Sequence, residues 1–468
     1  MNLHKKNAFL LSKQMDKKLK ALFFIFVFIQ GFFYLFLIPP WQSPDECRHF
    51  GYGILVDKDK KIKPNLDKKI VESMNAFHAW KYQSLTRPHT LPNRLRRVPF
   101  YGISIAKMSR QAPLYYLLSS FIIKRLKING ILNQFYVIRS FSFILFLLSV
   151  YFTYLSARIL FKDNFLYCFA TVSFVAFLPQ FLIVSTSVNS ANLAVLLETI
   201  FIYLMILSIH KGKRLLIVLF GPIVIALGFF NHQAALFMIP PFLVLLLIYF
   251  INSLKNKRDL LRILLILLII VLIFLALYLV ANHLFPSLLE QVVRESSLKP
   301  RIAEINRFIK YLSSTSSLNV FLDGFFMSFW YFSGWMRFCY LPDIYSVLKL
   351  ISFLSFLGLF KYLFFTLSRK NYKTSVDFPS FLILIAAGLP LLLGAIIFKF
   401  PIAITTQGRY IFPAISALAV LFVLGLKEIV PKKFENWLPV FVIVGFIVLN
   451  IYTIFNSLIR VFYYFTNA

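Results

Sequence analysis

Apolar runs long enough to cross a bilayer recur from residue 21 almost to the end of the chain, and this feature dictates most of what the fold can be. A segment inside hydrocarbon must satisfy its own backbone hydrogen bonds, so a chain made of such segments folds as a bundle of helices. The runs are 21–38, 135–160, 165–183, 193–209, 215–230, 236–251, 263–281, 345–365, 381–398, 411–426 and 438–455. They predict an all-α polytopic membrane protein with about eleven transmembrane helices of roughly 20 residues. Hydrophobic residues make up 59% of the 468 positions, which leaves little for a separate soluble domain. The whole of 1–468 is read as one integral-membrane domain.

The net charge of +32 does not point to nucleic acid, because Lys and Arg mostly fill short segments between the apolar runs. That placement sets topology and attracts lipid phosphates. Lys5, Lys6, Lys13, Lys17, Lys18 and Lys20 put the N-terminus in the cytoplasm, and the basic stretches 211–214, 255–262, 369–373 and 427–433 mark further inner ends. No small-residue cleavage site follows 22–37, so the first apolar run is read as a retained span. Residues 39–134 then form a long first external loop. Its own basic stretches are tolerated, since loops longer than about 60 residues escape the positive-inside rule. Within it, 113–123 is too short to span and is read as an interfacial or re-entrant helix. A second external loop, 284–318, carries Ile302, Ile305, Phe308, Ile309 and Leu312 at helical spacing with charges between them, the pattern of an amphipathic helix. Cys47, Cys168 and Cys339 are too few and too scattered for a disulfide framework or a metal cluster.

Under this topology the polar clusters fall on the outer side. They are Asp45-Glu46, Arg110-Gln111, 187–192, Asn231-His232-Gln233, 330–337 and 405–410, while the inner loops carry basic residues and little else. The stretch Ile38-Pro39-Pro40-Trp41-Gln42-Ser43-Pro44-Asp45-Glu46 comes first. Its prolines stop the emerging helix, and two acids follow at the membrane surface. That pattern fits a solvated turn as well as a chemical site. Each other cluster also has two uses. Ser187, Asn189 and Asn192 fit helix caps, His232 a satisfied interfacial histidine, and Trp330, Tyr331 and Trp335 an aromatic belt. Arg409 fits either a cation snorkelling to headgroups or a phosphate ligand, with Gly408 beside it leaving room for a bulky group. Glu198, inside a span, is flagged only by the general rule for intramembrane ions. No nucleotide-binding loop or metalloprotease motif is present, so an activated group at an outward-facing site would arrive on a lipid.

In order, Pro-Asp-Glu-x-x-His-Phe (44–50), Pro-Leu-Tyr-Tyr-Leu (113–117), Ser-Val-Asn-Ser-Ala-Asn (187–192), Ser-Phe-Trp with Gly-Trp (328–335) and Gln-Gly-Arg-Tyr-x-x-Pro (407–413) run through nearly the whole chain. The set resembles a family of bacterial membrane proteins grouped with the GT-C glycosyltransferases, which include protein O-mannosyltransferases and the aminoarabinose transferase of lipid A. Two departures stand out: Ala112 replaces a proline, and Ser190-Ala191-Asn192 supplies no acid where relatives often carry Asn-Asp. The resemblance implies a GT-C-like bundle in the bacterial cytoplasmic membrane with its site facing outward. It also implies transfer, with inversion, of a sugar from a polyprenyl-phosphate carrier to an envelope glycan, lipid or protein. By that analogy Asp45 is the general base. Glu46 binds acceptor, positions the loop or shares a Mg2+ or Mn2+ with Asp45, the metal being left open. Arg409 is the phosphate ligand, and Gln407, Tyr410, His49, Arg110, Gln111, Tyr115, Asn189, His232 and Trp335 are the further substrate-binding candidates. The implied partners are the lipid-linked donor, the acceptor and membrane lipids. A lipid-linked sugar flippase is the alternative from another class, and a non-catalytic assembly partner is a third.

Overall fold

A computed structural model describes residues 2–55, 64–77, 79, 113–254, 265, 268–273, 275–279, 283, 315–333, 339–368, 374–399 and 407–464. Among them every regular element is a helix, and the chain is a multi-pass membrane protein. Eight helices are long and apolar enough to cross a bilayer, or nine if the bent pair Phe165–Phe177 and Pro179–Ser185 is one span. The expected count of eleven is therefore not confirmed among the described residues. Arg214–Phe229 is a shorter apolar helix, and 263–281 lies largely outside the described residues. So does the amphipathic helix expected at 301–312.

The bend of 59° in the 165–185 pair has a local cause. Leu178 is extended, at φ −66° and ψ 113°, because Pro179 disfavours a helical residue before it and then opens the next helix as its first residue. The last span runs on past its expected end, continuing from Leu438–Thr453 as a π-helical stretch, Ile454–Tyr464. One helix was not expected at all. Thr315–Trp330 occupies what reads as loop, because Asn319, Asp323 and Gly324 interrupt its apolar residues.

Helix pairs close where side chains are small. A Cβ on Gly358 would lie 1.8 Å from the Gly425 carbonyl oxygen, so Pro342–Ser368 and Ile415–Ile429 meet backbone to backbone. The opposite face of Pro342–Ser368 carries Phe353, Phe356, Phe360 and Phe364 outward at helical spacing, a surface suited to lipid tails.

Candidate functional site

The site begins where the first helix stops. Prolines 39 and 40 end it and leave its last carbonyls without helical partners. Arg139, within Ile131–Leu160, supplies those partners: Nη1 donates to Leu35 O (3.0 Å) and Ile38 O (2.7 Å), and Nη2 to Pro39 O (3.3 Å). Nε and Nη2 also grip Glu46 Oε1 (2.7 Å) and Oε2 (2.8 Å). Glu46 Oε1 further accepts the Val188 N–H at 3.1 Å. Both side chains are at most 1% exposed, and every donor position of the guanidinium is engaged. This buried knot ties the first helix end, the helix Glu46–Leu55 and the 187–190 loop together.

Asp45 points the other way. Its backbone is left-handed (φ 61°), a conformation Asp tolerates better than most residues, as is that of buried Trp41 (φ 70°), whose indole donates to Ser73 Oγ at 3.0 Å. The turn divides the neighbouring acids: Glu46 is drawn into the core, and Asp45 is delivered to Arg409. Arg409 Nη2 lies 3.3 Å from Asp45 Oδ2, across 364 residues of sequence, and Arg48 Nη1 lies 3.2 Å from Oδ1. Burial pushes the Asp45 carboxyl up, but the Arg409 guanidinium, with Arg48 assisting, more than offsets this and holds it below the usual carboxylate range. Asp45 keeps 31% of its side chain exposed and Arg409 only 10%. Arg409 Nη1 is buried without a hydrogen-bond partner among the described residues.

Arg409 is carried on a 3-10 turn, Gly408–Ala414, that opens the span to Ile429. Gly408 is there for packing: its N–H donates to Ser328 Oγ (2.8 Å), and a Cβ would sit 2.5 Å from the Phe329 nitrogen and 2.6 Å from the Phe325 carbonyl. The room beside Arg409 that the sequence offered to a bulky ligand is filled by the unexpected helix Thr315–Trp330.

The other candidates separate into those at the acid and those holding the scaffold. His49 stands one helical turn after Asp45, with Nδ1 2.6 Å from the Tyr116 hydroxyl, and burial pushes its imidazole down to about 3. His232 faces it electrostatically and caps the following turn through Nδ1 (Ala234 N–H, 3.1 Å). Tyr115 is fully buried on Ser142 Oγ at 2.7 Å. Asn189 accepts the Ala191 N–H at 2.9 Å in a local turn just before the helix, whose cap position is Ser190. Tyr410 lies under the Arg409 guanidinium, 5.9 Å from ring centre to Cζ. Gln407 lines a small cavity of about 20 Å³, together with Gln42, Pro44 and Gln180; neither Asp45 nor Arg409 is among its lining residues. Arg110, Gln111 and Trp335 fall outside the described residues. Sequence reasoning passed over Arg139, Arg48 and Gln42; an arginine inside an apolar span was the signal available for the first.

Mg2+ and Mn2+ favour a set of oxygen ligands. Here Asp45 faces two guanidiniums and Glu46 is spent on Arg139 and Val188, so the pair forms no joint ligand set for either ion. Among the described residues no group of three His, Cys, Asp or Glu is placed to hold a metal.

The opposite end of the bundle is more polar than its basic loops suggest. His210 Nε2 meets Asp377 Oδ1 at 2.9 Å and Ser380 Oγ at 3.0 Å. Both contacts fall on one ring nitrogen, so this is not the relay of a serine hydrolase, in which the acid and the serine sit on different nitrogens. It fastens the end of Ala191–Lys211 to the start of Phe378–Lys399.

No protein-family model matches the chain, and no curated protein matches it. Among solved structures it is similar to the apo-form crystal structure of the Archaeoglobus fulgidus oligosaccharyltransferase, at 12% identity and a TM-score of 0.49, over 94% of this chain and 55% of that one. The chain thus spans about half the length of that protein. A likeness this loose transfers no residue roles.

Proposed function

We propose that this protein is an inverting GT-C-type glycosyltransferase that moves a sugar from a polyprenyl-phosphate carrier to a glycan, lipid or protein acceptor at the outer face of the bacterial cytoplasmic membrane. The observation that carries the reading is the Asp45–Arg409 contact, which unites a partly exposed acid from the first loop and a cation from far along the chain. Transfer needs a base for the acceptor hydroxyl and a cation for the phosphate that leaves. Asp45, held ionised, takes the proton as the new C–O bond acidifies the hydroxyl. Arg409 keeps Asp45 on Nη2 and offers Nη1 to a phosphate oxygen; inversion requires the acceptor hydroxyl to enter on the face of the anomeric carbon opposite that phosphate, so the sugar carbon lies between the hydroxyl that Asp45 deprotonates and the leaving group. Arg48 offsets the repulsion between carboxylate and phosphate. Glu46 positions the loop through Arg139, and no step requires a metal.

The test is mass spectrometry of envelope glycans and glycolipids from cells with the protein, without it, and with Asp45→Asn. Loss of one sugar in the last two supports the reading. The two readings separate on the donor: lipid-linked sugar that persists or accumulates in the outer leaflet while the glycan loses its sugar supports the transferase, and loss of both together supports a flippase instead.

A further inference from the structure

A cavity of about 470 Å³ lies between the far ends of Ile131–Leu160 and Ala191–Lys211, at the end of the bundle away from Asp45. Arg139 and Asn192 mark the near ends of these two helices. Arg158 and Lys211 stand further along them by roughly 29 Å, at 1.5 Å per residue, which is about the thickness of a bilayer core. The cavity walls are two stripes in helical register. On one helix Leu155 and Ile159 lead to Arg158 and Lys162, and on the other Tyr203 and Leu207 lead to Lys211. Each stripe is apolar and half-buried in its inner part and cationic and exposed at its mouth. One turn deeper the Phe152 and Tyr203 rings meet, with centres 5.6 Å apart, and join the helices.

The charges at the mouth do not cancel. Asp163, the one acid in the lining, is taken by Arg158 (Nε to Oδ1, 2.6 Å), and His210 is taken by Asp377 (2.9 Å). Lys162 and Lys211 have no acidic partner among the described residues. Offsetting the helix dipole accounts for cations at these C-termini, but it needs neither a cavity nor an apolar wall leading into it. An anion with an apolar tail uses both. A free phosphate would leave the apolar stripes uncovered, and a zwitterionic headgroup would add an ammonium beside the lysines. We propose that this cavity binds an anionic phospholipid of the surrounding bilayer, its phosphate across Lys162 and Lys211 and one acyl chain between the stripes. The site shares no residue with the Asp45–Arg409 pair, so the proposal stands apart from the transfer reading.

The experiment uses the full-length protein in detergent, with lipid binding followed by native mass spectrometry. Phosphatidylglycerol is expected to bind at least about tenfold more tightly than phosphatidylcholine, and the double variant Lys162→Gln/Lys211→Gln to lose about 10- to 30-fold of that affinity. The control is Lys432→Gln/Lys433→Gln, which removes the same charge from exposed lysines at the same end of the bundle, outside the cavity. It is expected to leave binding within about twofold of wild type. Equal losses in the two double variants would mean general surface attraction and overturn the proposal, as would equal affinity for the two lipids. Displacement of the lipid by millimolar inorganic phosphate would make the ligand a soluble anion and also overturn it. A second measurement needs no variant: phosphatidylglycerol with a photoreactive diazirine in its acyl chain should label Leu155, Ile159, Tyr203 or Leu207 in the wild type. Labelling confined to other segments overturns the proposal.

Discussion

Asp45 and Arg409, at opposite ends of the sequence, meet at 3.3 Å with the carboxylate on Nη2 and the buried Nη1 left unpaired. The contact gives the two residues separable jobs. Asp45→Asn is expected to lower transfer by about 10²–10⁴-fold while donor binding persists, since only the proton acceptor is lost. Arg409→Ala is expected to weaken donor binding itself, and Arg409→Lys to restore it only in part, because an ammonium cannot hold carboxylate and phosphate in one planar fork. Donor titration beside a transfer assay checks both. Unchanged donor affinity in Arg409→Ala would remove the phosphate role.

Glu46 is expected to matter for folding and not for chemistry. Its carboxylate and the Arg139 guanidinium are buried together, and removing one partner strands the other charge. Glu46→Gln should therefore cost about 3–5 kcal/mol of stability, visible as a lower thermal midpoint in detergent. Glu46→Leu combined with Arg139→Met should recover part of that loss, though not all, since three backbone carbonyls still lose their donor. Donor affinity per folded molecule should stay near wild type. A Glu46→Gln protein with normal stability and weakened donor binding would return Glu46 to the substrate.

What was legible in the sequence follows from the range of each interaction. Apolar length and basic flanks act locally, so the helical bundle and most spans were readable, as was the break at Pro39-Pro40. The divergence of Asp45 and Glu46 was legible too, because adjacent side chains cannot share a direction in helix or strand. Glu46's partner was not. Arg139 lies 93 residues away inside an apolar run, and only tertiary packing shows that it caps the first helix. Thr315–Trp330 was missed for the opposite reason: its polar residues weaken the apolar pattern locally, while its helix is held by contact with Gly408.

Gly408 sets how closely that helix approaches the arginine. A methyl group there would press on the Phe329 nitrogen and the Phe325 carbonyl, which are backbone and cannot rotate away. Gly408→Ala is expected to cost about 1–3 kcal/mol and to shift the turn that carries Arg409, lowering donor affinity as well as thermal midpoint. Second-site replacement of Phe329 is not expected to rescue it, because the contact is with main chain. A Gly408→Ala protein of unchanged stability and affinity would show that the helix yields freely.

His49 makes stability depend on pH in a direction that can be worked out. Burial drives its imidazole down to about 3 from an ordinary 6.5, despite Asp45 nearby, while Arg409, His232 and Arg48 all face it with like charge. Between those values the unfolded chain binds a proton that the folded chain refuses, so stability falls as pH is lowered from about 6.5 toward 3 and gains nothing from this residue above 6.5. Asp45, held low mainly by Arg409 against its burial, adds to the loss only at the acid end of that range. Thermal midpoints measured from pH 7.5 to 5 should therefore decline in the wild type. They should decline less in His49→Gln, which keeps a polar partner for the Tyr116 hydroxyl without a titrating ring. Parallel slopes in the two proteins would mean that another group sets the acid sensitivity.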